Sequence, residues 1–203
     1  MKVLFLDMDG VLVPFRKQGI DPELVAQLKR VHDETNCRIV LSSSWRVFKS
    51  SVLLVNQTLT QAGIPALIGQ TPQLGIDRSK EIGMWLAEHE KTRSKRLEPL
   101  LARVENSSEH SEEILQLTRG EIEEIKDTEV THWVAVDDMP LLHNRSSWGK
   151  AMKGHFVHTD CDIGFVVERA NLAIQILKGE ELREGTQEGE EGEEDLDPGF
   201  FEE

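Results

Sequence analysis

Cysteine is scarce: Cys37 and Cys161 are the only two in 203 residues. Two cysteines cannot build a disulfide scaffold, and neither stands in a metal-ligand spacing, so both read as thiols of a reducing, cytoplasmic location. Long apolar runs are missing as well. None approaches the roughly 20 residues that span a bilayer, which excludes a membrane role. Met1-Lys2 leads into only four apolar residues before Asp7, so no secretory leader is expected. Basic side chains are outnumbered, 23 against 37 acidic, for a formal net charge of −14. Binding a nucleic acid by overall charge needs the opposite balance, because counterion release follows Lys and Arg contacts. No internal repeat is evident.

The acid is unevenly spread. Residues 179–203 hold 10 Glu, 2 Asp and one Arg, or −11, whereas residues 1–178 hold 25 acids and 22 bases, or −3. The body is long enough for one core and is expected to form one domain. The Glu/Gly-rich end buries too little apolar surface to repay ordering, so 179–203 is expected to be a disordered acidic tail. Such a tail is suited to a basic protein partner, with Phe200-Phe201 as an anchor, or to keeping the protein soluble. Near-neutrality of the body leaves a nucleic-acid phosphate open as a substrate, though not tight, charge-driven binding.

Within the body, short apolar runs alternate with helical patterns. Val3-Leu4-Phe5-Leu6 is continuous rather than alternating, as suits a strand buried on both faces. Arg38 to Leu41, Ala66 to Ile68, His132 to Val136 and His155 to Val157 are the other runs. Asp21-Pro22 opens a helix carrying Leu24, Leu28 and Val31, and Ser79 is placed to cap one carrying Ile82, Trp85 and Leu86. A last helix is expected from about Glu168 to Leu177. This alternation predicts an α/β fold, a parallel sheet with helices on both faces. Residues 91–128 break the rhythm. They open on the basic stretch from Lys91 to Arg96, a solvated helix end or a contact for a polyanion, and carry a partial apolar stripe at Ile114, Leu117, Ile122 and Ile125, interrupted by Gly120. They are expected to form a polar helical insertion.

Function in open parallel sheets gathers at the carboxyl ends of the strands. The first run ends in Asp7-Met8-Asp9-Gly10, where one carboxylate suits a nucleophile, the other a proton donor and acceptor, and Gly10 a sharp turn. The second ends in Ser42-Ser43-Ser44, hydroxyls suited to a phosphate. The fourth ends in Asp137-Asp138, hard oxygen ligands for Mg²⁺. Lys80 offers the positive charge that a phosphoryl group needs, with Lys49 and Lys91 as alternatives. Arg46 is a further phosphate contact or a surface salt bridge, and Trp45 packs in the core or at its rim. His155 and His158 stand apart from any partner cluster and read as structural. Asp7-x-Asp9-Gly10 and Asp160-x-Asp162 lack the remaining ligands of a calcium loop. Acids, a divalent cation, hydroxyls and an ammonium make an inventory for phosphoryl transfer.

These residues resemble the four motifs of the haloacid-dehalogenase-like (HAD) phosphohydrolases. Val3 to Leu12 is similar to the first, Ile39 to Ser42 to the second, Lys80 is placed like the third, and Val134 to Asp138 is similar to the fourth, in that order. Ser43-Ser44-Trp45-Arg46 and the stretch from Thr159 to Phe165 further resemble HAD domains of RNA-repair-type multidomain proteins. The resemblance implies a Rossmann-like three-layer sandwich and a Mg²⁺-dependent phosphomonoesterase. It implies that Asp7 attacks phosphorus, that Asp9 protonates the leaving oxygen and then activates water, that Ser42 or Ser43 binds phosphoryl oxygens, and that Lys80 stabilises their charge. Mg²⁺ would be held by Asp7, the Asp9 carbonyl, and Asp137 or Asp138.

Departures from the family's other branches narrow this. Dehalogenases lack the second acid, and transport ATPases continue Lys-Thr-Gly-Thr where this chain has Met8-Asp9-Gly10-Val11. Only 29 residues separate Leu12 from Ser42, which leaves no room for a large cap. An open site admits a phosphorylated small molecule, nucleotide, nucleic-acid end or phosphoprotein. The rival of another class is a HAD-derived regulatory or binding module of low turnover that works through its acidic tail.

Overall fold

The computed structural model describes residues 1–75, 77–106, 112–143 and 147–181. Its centre is a five-stranded, all-parallel sheet in the order β3-β2-β1-β4-β5, with β1 at Lys2–Leu6, β2 at Arg38–Leu41, β3 at Gly69–Gln70, β4 at His132–Asp137 and β5 at Phe156–His158. Six helices flank it: α1 Pro22–Thr35, α2 Lys49–Gln61, α3 Arg78–Glu105, α4 Glu112–Lys126, α5 Ser147–Ala151 and α6 Val167–Lys178. The α/β three-layer expectation holds. Between β1 and β2 the chain makes only α1, so no large cap is inserted there.

The continuous apolar strands need cover on both faces, because successive side chains point to opposite sides. Leu4 and Leu6 pack with Ile39, Leu41, Val134 and Val136 beneath α1 and α6. Val3 and Phe5 pack with Val40, Ala135 and Phe156 beneath Ile82 and Trp85 of α3. Phe5 meets the rings of Trp85 and Trp133 edge-on, at 5.3 and 5.9 Å between centroids. Each such buried Leu or Phe contributes roughly 1.5–3 kcal/mol. No helix among the described residues is long and apolar enough to cross a membrane.

Helix ends follow their caps. Asp21 Oδ1 accepts the Glu23 N–H at 2.9 Å with Pro22 in the first turn, and left-handed Asn36 ends α1. Elsewhere the sequence expectation shifts. The third run, Ala66 to Ile68, is not itself strand: the Leu67 N–H turns to Asn56 Oδ1, and the strand is the two residues that follow, Gly69–Gln70. Helix α3 starts at an Asp77 cap, whose side chain accepts the Lys80 N–H at 3.0 Å, rather than at Ser79. It then runs 28 residues, so the stretch after Lys91 continues this helix instead of leaving the core separately. Its distal half pairs with α4, and His89 Nε2 meets the Thr128 carbonyl at 2.9 Å at the base of that pairing. The buried stripe of α4 is Leu115, Thr118, Ile122 and Ile125, while Ile114 and Leu117 are exposed, and Gly120 does not break the helix. The expected acidic tail lies, from residue 182 on, outside the described residues.

Candidate active site

Parallel register sets the first three groups side by side. Leu6 is level with Leu41 on one flank and Val136 on the other. The next residues on each strand are therefore Asp7, Ser42 and Asp137. The ladder continues into them: Asp7 N–H donates to the Val136 carbonyl at 3.1 Å and Ser42 N–H to the Leu6 carbonyl at 2.8 Å. Thr159 N–H, beyond β5, donates to the Asp137 carbonyl at 3.0 Å. Asp7, Ser42, Ser43, Asp137 and Thr159 are all buried. Asp138 follows, with its carbonyl receiving His158 Nε2 at 2.8 Å. One carboxylate oxygen from each of Asp7, Asp137 and Asp138 lies within 4.8 Å of the other two.

Gly10 makes this convergence sterically feasible. Its φ of +67° suits glycine, and a Cβ there would stand 2.5 Å from Asp138 Cγ. The Thr159 hydroxyl donates to the Gly10 carbonyl at 2.9 Å and pins the turn. Asp9, half-buried, does not join the carboxylate cluster through its side chain. Both of its oxygens accept the Trp45 indole N–H, at 3.1 and 3.0 Å. Trp45 packs against the core as expected, and also holds this acid.

The cation beside the carboxylates is Arg78. As the first residue of α3 its side chain reaches back over the strand ends, with Nη1 3.3 Å from Asp7 Oδ1 and 3.2 Å from Asp137 Oδ2. Lys80 is exposed, as are Lys49 and Lys91, and none of the three pairs with these carboxylates among the described residues. The helix beginning at Asp77 explains the difference, because Asp77 is as good a cap as Ser79 and brings Arg78 to the first turn. Arg46 does not project freely toward a substrate. Its Nη1 donates to the Ser43 carbonyl at 2.6 Å and its Nη2 meets Glu81 at 2.6 Å. Glu81, fully buried, also accepts the Leu74 N–H at 2.8 Å. Glu81 and Arg78 carry no signal at the sequence level beyond the i, i+3 spacing of an acid and a base on a helix start.

Hydroxyl and guanidinium groups are left over at this end of the sheet. Ser42 Oγ, Thr71 Oγ1, Arg46 Nε and Arg78 Nη1 are buried without a hydrogen-bond partner among the described residues, although Arg78 Nη1 has the carboxylates at ion-pair distance. Buried polar groups of this kind are costly unless something satisfies them. A tetrahedral anion offers acceptors to Ser42 and Arg78 together.

Burial dominates the acids' titration. It pushes Asp137 up to about 7, with the neighbouring Asp7 charge adding to the rise and Arg78 opposing it. Asp7 is raised by burial too, against the pull of Arg78 and a hydrogen bond from Ser43, and burial raises Asp138. Three carboxylates facing one guanidinium leave a surplus of negative charge. The donor set, carboxylate oxygens alone, fits a hard divalent cation such as Mg²⁺, which would offset that surplus. His155 stacks on Trp133 at 4.2 Å and bonds its carbonyl, a packing role.

Around this centre the loops leaving all five strands each expose a large apolar side chain: Phe15, Phe48, Leu74, Met139 and Ile163. Among known proteins, the family described as "HAD domain in Swiss Army Knife RNA repair proteins" matches residues 3–170 of the chain. No curated protein and no solved structure matches it.

Proposed function

The chain belongs to this HAD-domain family, and on that premise we propose that it is a Mg²⁺-dependent phosphomonoesterase that forms an aspartyl-phosphate on Asp7 and takes its phosphate from a nucleic-acid end. The observation that carries the reading is the cluster of Asp7, Asp137 and Asp138 at the strand ends, with Arg78 against it. Asp7, Asp137 and Asp138 would hold Mg²⁺, which would supply positive charge to the phosphoryl oxygens. Arg78 and the Ser42 hydroxyl bind those oxygens, and Ser43 steadies Asp7. An Asp7 oxygen attacks phosphorus as the ester P–O bond breaks, and Asp9 gives its proton to the departing oxygen. Water then attacks phosphorus, its proton goes to Asp9, and the bond to Asp7 breaks.

The substrate class rests on the family description and on the mouth of the site. Without a large cap a polymer end can approach, and Phe15 and Phe48 offer exposed rings on which bases stack. The near-neutral body fits weak, site-limited contact better than tracking along a backbone. The test is phosphate release from 3′- and 5′-phosphorylated oligonucleotides, nucleotides, phosphopeptides and sugar phosphates, with and without Mg²⁺. Release should be fastest from oligonucleotide ends, should need Mg²⁺, and should fall on the order of 10³-fold or more in Asp7→Asn. Undiminished release by Asp7→Asn rules the mechanism out.

A further inference from the structure

The loop after β2 reaches the loop after β1 through the bond from the Trp45 indole to Asp9. An indole N–H is a donor only. It can hold an oxygen of Asp9 that has no proton, and it cannot accept from one that has. Its aim is set by packing: the ring lies against the core, and the Trp45 backbone N–H is held by Ser43 Oγ at 3.4 Å in the 3-10 turn Ser44–Val47. The same Ser43 hydrogen-bonds Asp7. One short turn thus braces both acids of the first loop, yet keeps the second out of the carboxylate cluster.

We propose that Trp45 is the positioning residue of Asp9: its N–H, shared by both carboxylate oxygens here, sets the direction of the carboxyl and stays with the unprotonated oxygen when the other carries the proton meant for the leaving group. The inference rests on the phosphomonoesterase reading. As the ester P–O bond breaks, the proton on the free Asp9 oxygen passes to the departing oxygen, and the negative charge left on Asp9 is shared with the Trp45 N–H. In the second half-reaction the free oxygen takes a proton from the attacking water. A Trp45 that merely filled space would affect every substrate alike.

Leaving-group dependence separates the two roles. Trp45→Phe keeps a ring and removes the donor. For an alkyl phosphate, whose leaving oxygen needs a proton, kcat/KM should fall about 30-fold or more, approaching the ~10²–10⁴ a positioned general acid supplies. For p-nitrophenyl phosphate, whose leaving group departs as a stable anion, it should fall no more than about 3-fold. Adding Trp45→Phe to Asp9→Asn should cost nothing further. Equal losses on both substrates, or a loss on neither, overturn the proposal. Should Trp45→Phe fail to fold, the indole ¹H–¹⁵N resonances of Asp9→Asn decide: that of Trp45 should shift while those of Trp85, Trp133 and Trp148 stay, and an unmoved Trp45 signal overturns it. A wild type inactive on both substrates overturns the phosphomonoesterase reading first, an outcome distinct from an active wild type indifferent to Trp45→Phe.

Discussion

Ion pairs occupy two regions of the molecule and behave as different objects in each. At the strand ends, Arg46 and Glu81 meet with side chains 6% and 1% exposed, beside Arg78, Asp7 and Asp137. On the α3/α4 hairpin, Lys126 meets Glu123 with side chains 49% and 68% exposed. Water and salt screen the second pair, which contributes roughly 0–1 kcal/mol. The first has given up hydration, so each member depends on its partners and on backbone groups such as the Leu74 N–H and the Ser43 and Pro72 carbonyls. Acid–base pairs therefore act as solvated decoration on α4 and as the frame of the carboxylate cluster at the strand ends.

The sharpest way to break this contrast is Glu81→Ala. It leaves the buried Arg46 without its carboxylate and should lower unfolding free energy by about 3–5 kcal/mol in urea titration. A loss below about 1 kcal/mol would mean the strand-end pair behaves like a surface one. Next is the cation-free protein itself. A carboxyl in an unfolded chain titrates near 4, whereas folded Asp137 is pushed up to about 7. Between those values the folded state keeps protons that the unfolded state has lost. The stabilisation is complete below about pH 4 and disappears as pH rises through about 7. Magnesium should restore it at pH 7.5, by about 2.7 kcal/mol at 100 times its Kd, and by less in Asp138→Asn. Cation-free stability that climbs from pH 5 to 7.5 would contradict the assigned burial effect.

Gly10→Ala should have a smaller effect on folding, about 1–3 kcal/mol for a side chain forced into a left-handed φ. Because its Cβ would displace Asp138, it should weaken Mg²⁺ binding more than it destabilises the fold, which calorimetry of both quantities would show. At the far end of the scale, Lys126→Ala on the hairpin should change stability by no more than about 0.5 kcal/mol. A larger change there would erase the distinction between the two regions.

Much of the architecture was legible because strands buried on both faces must be continuously apolar, and their abrupt polar ends mark where the sheet stops. That logic put Asp7, Asp9, Ser42, Ser43, Asp137 and Asp138 at one end of the sheet, while the short stretch from Leu12 to Ser42 excluded a large cap. The choice of cation was not legible, since it depends on whether Asp77 or Ser79 caps α3, a two-residue difference between equally good caps. Trp45 looked like packing because composition shows a ring and hides the direction of its N–H. Glu81 was invisible for a related reason: only tertiary contact separates a buried helix acid from the many exposed ones. The stripe on α4 was off by one position in its first half, where Leu115 and Thr118 are buried rather than Ile114 and Leu117, and right at Ile122 and Ile125.

The central strand has one further consequence, for timing. β1 pairs early in the chain with β2, but Leu6 must wait for Val136 to complete its other edge. Closing so long a loop is slow and comes late in folding. During synthesis, Asp7 and its hydroxyl neighbours can take their places while Asp137 and Asp138 are still inside the ribosome. A stalled or truncated chain thus presents Asp7 without Asp137 and Asp138, so the carboxylate cluster is complete only when most of the domain has been made.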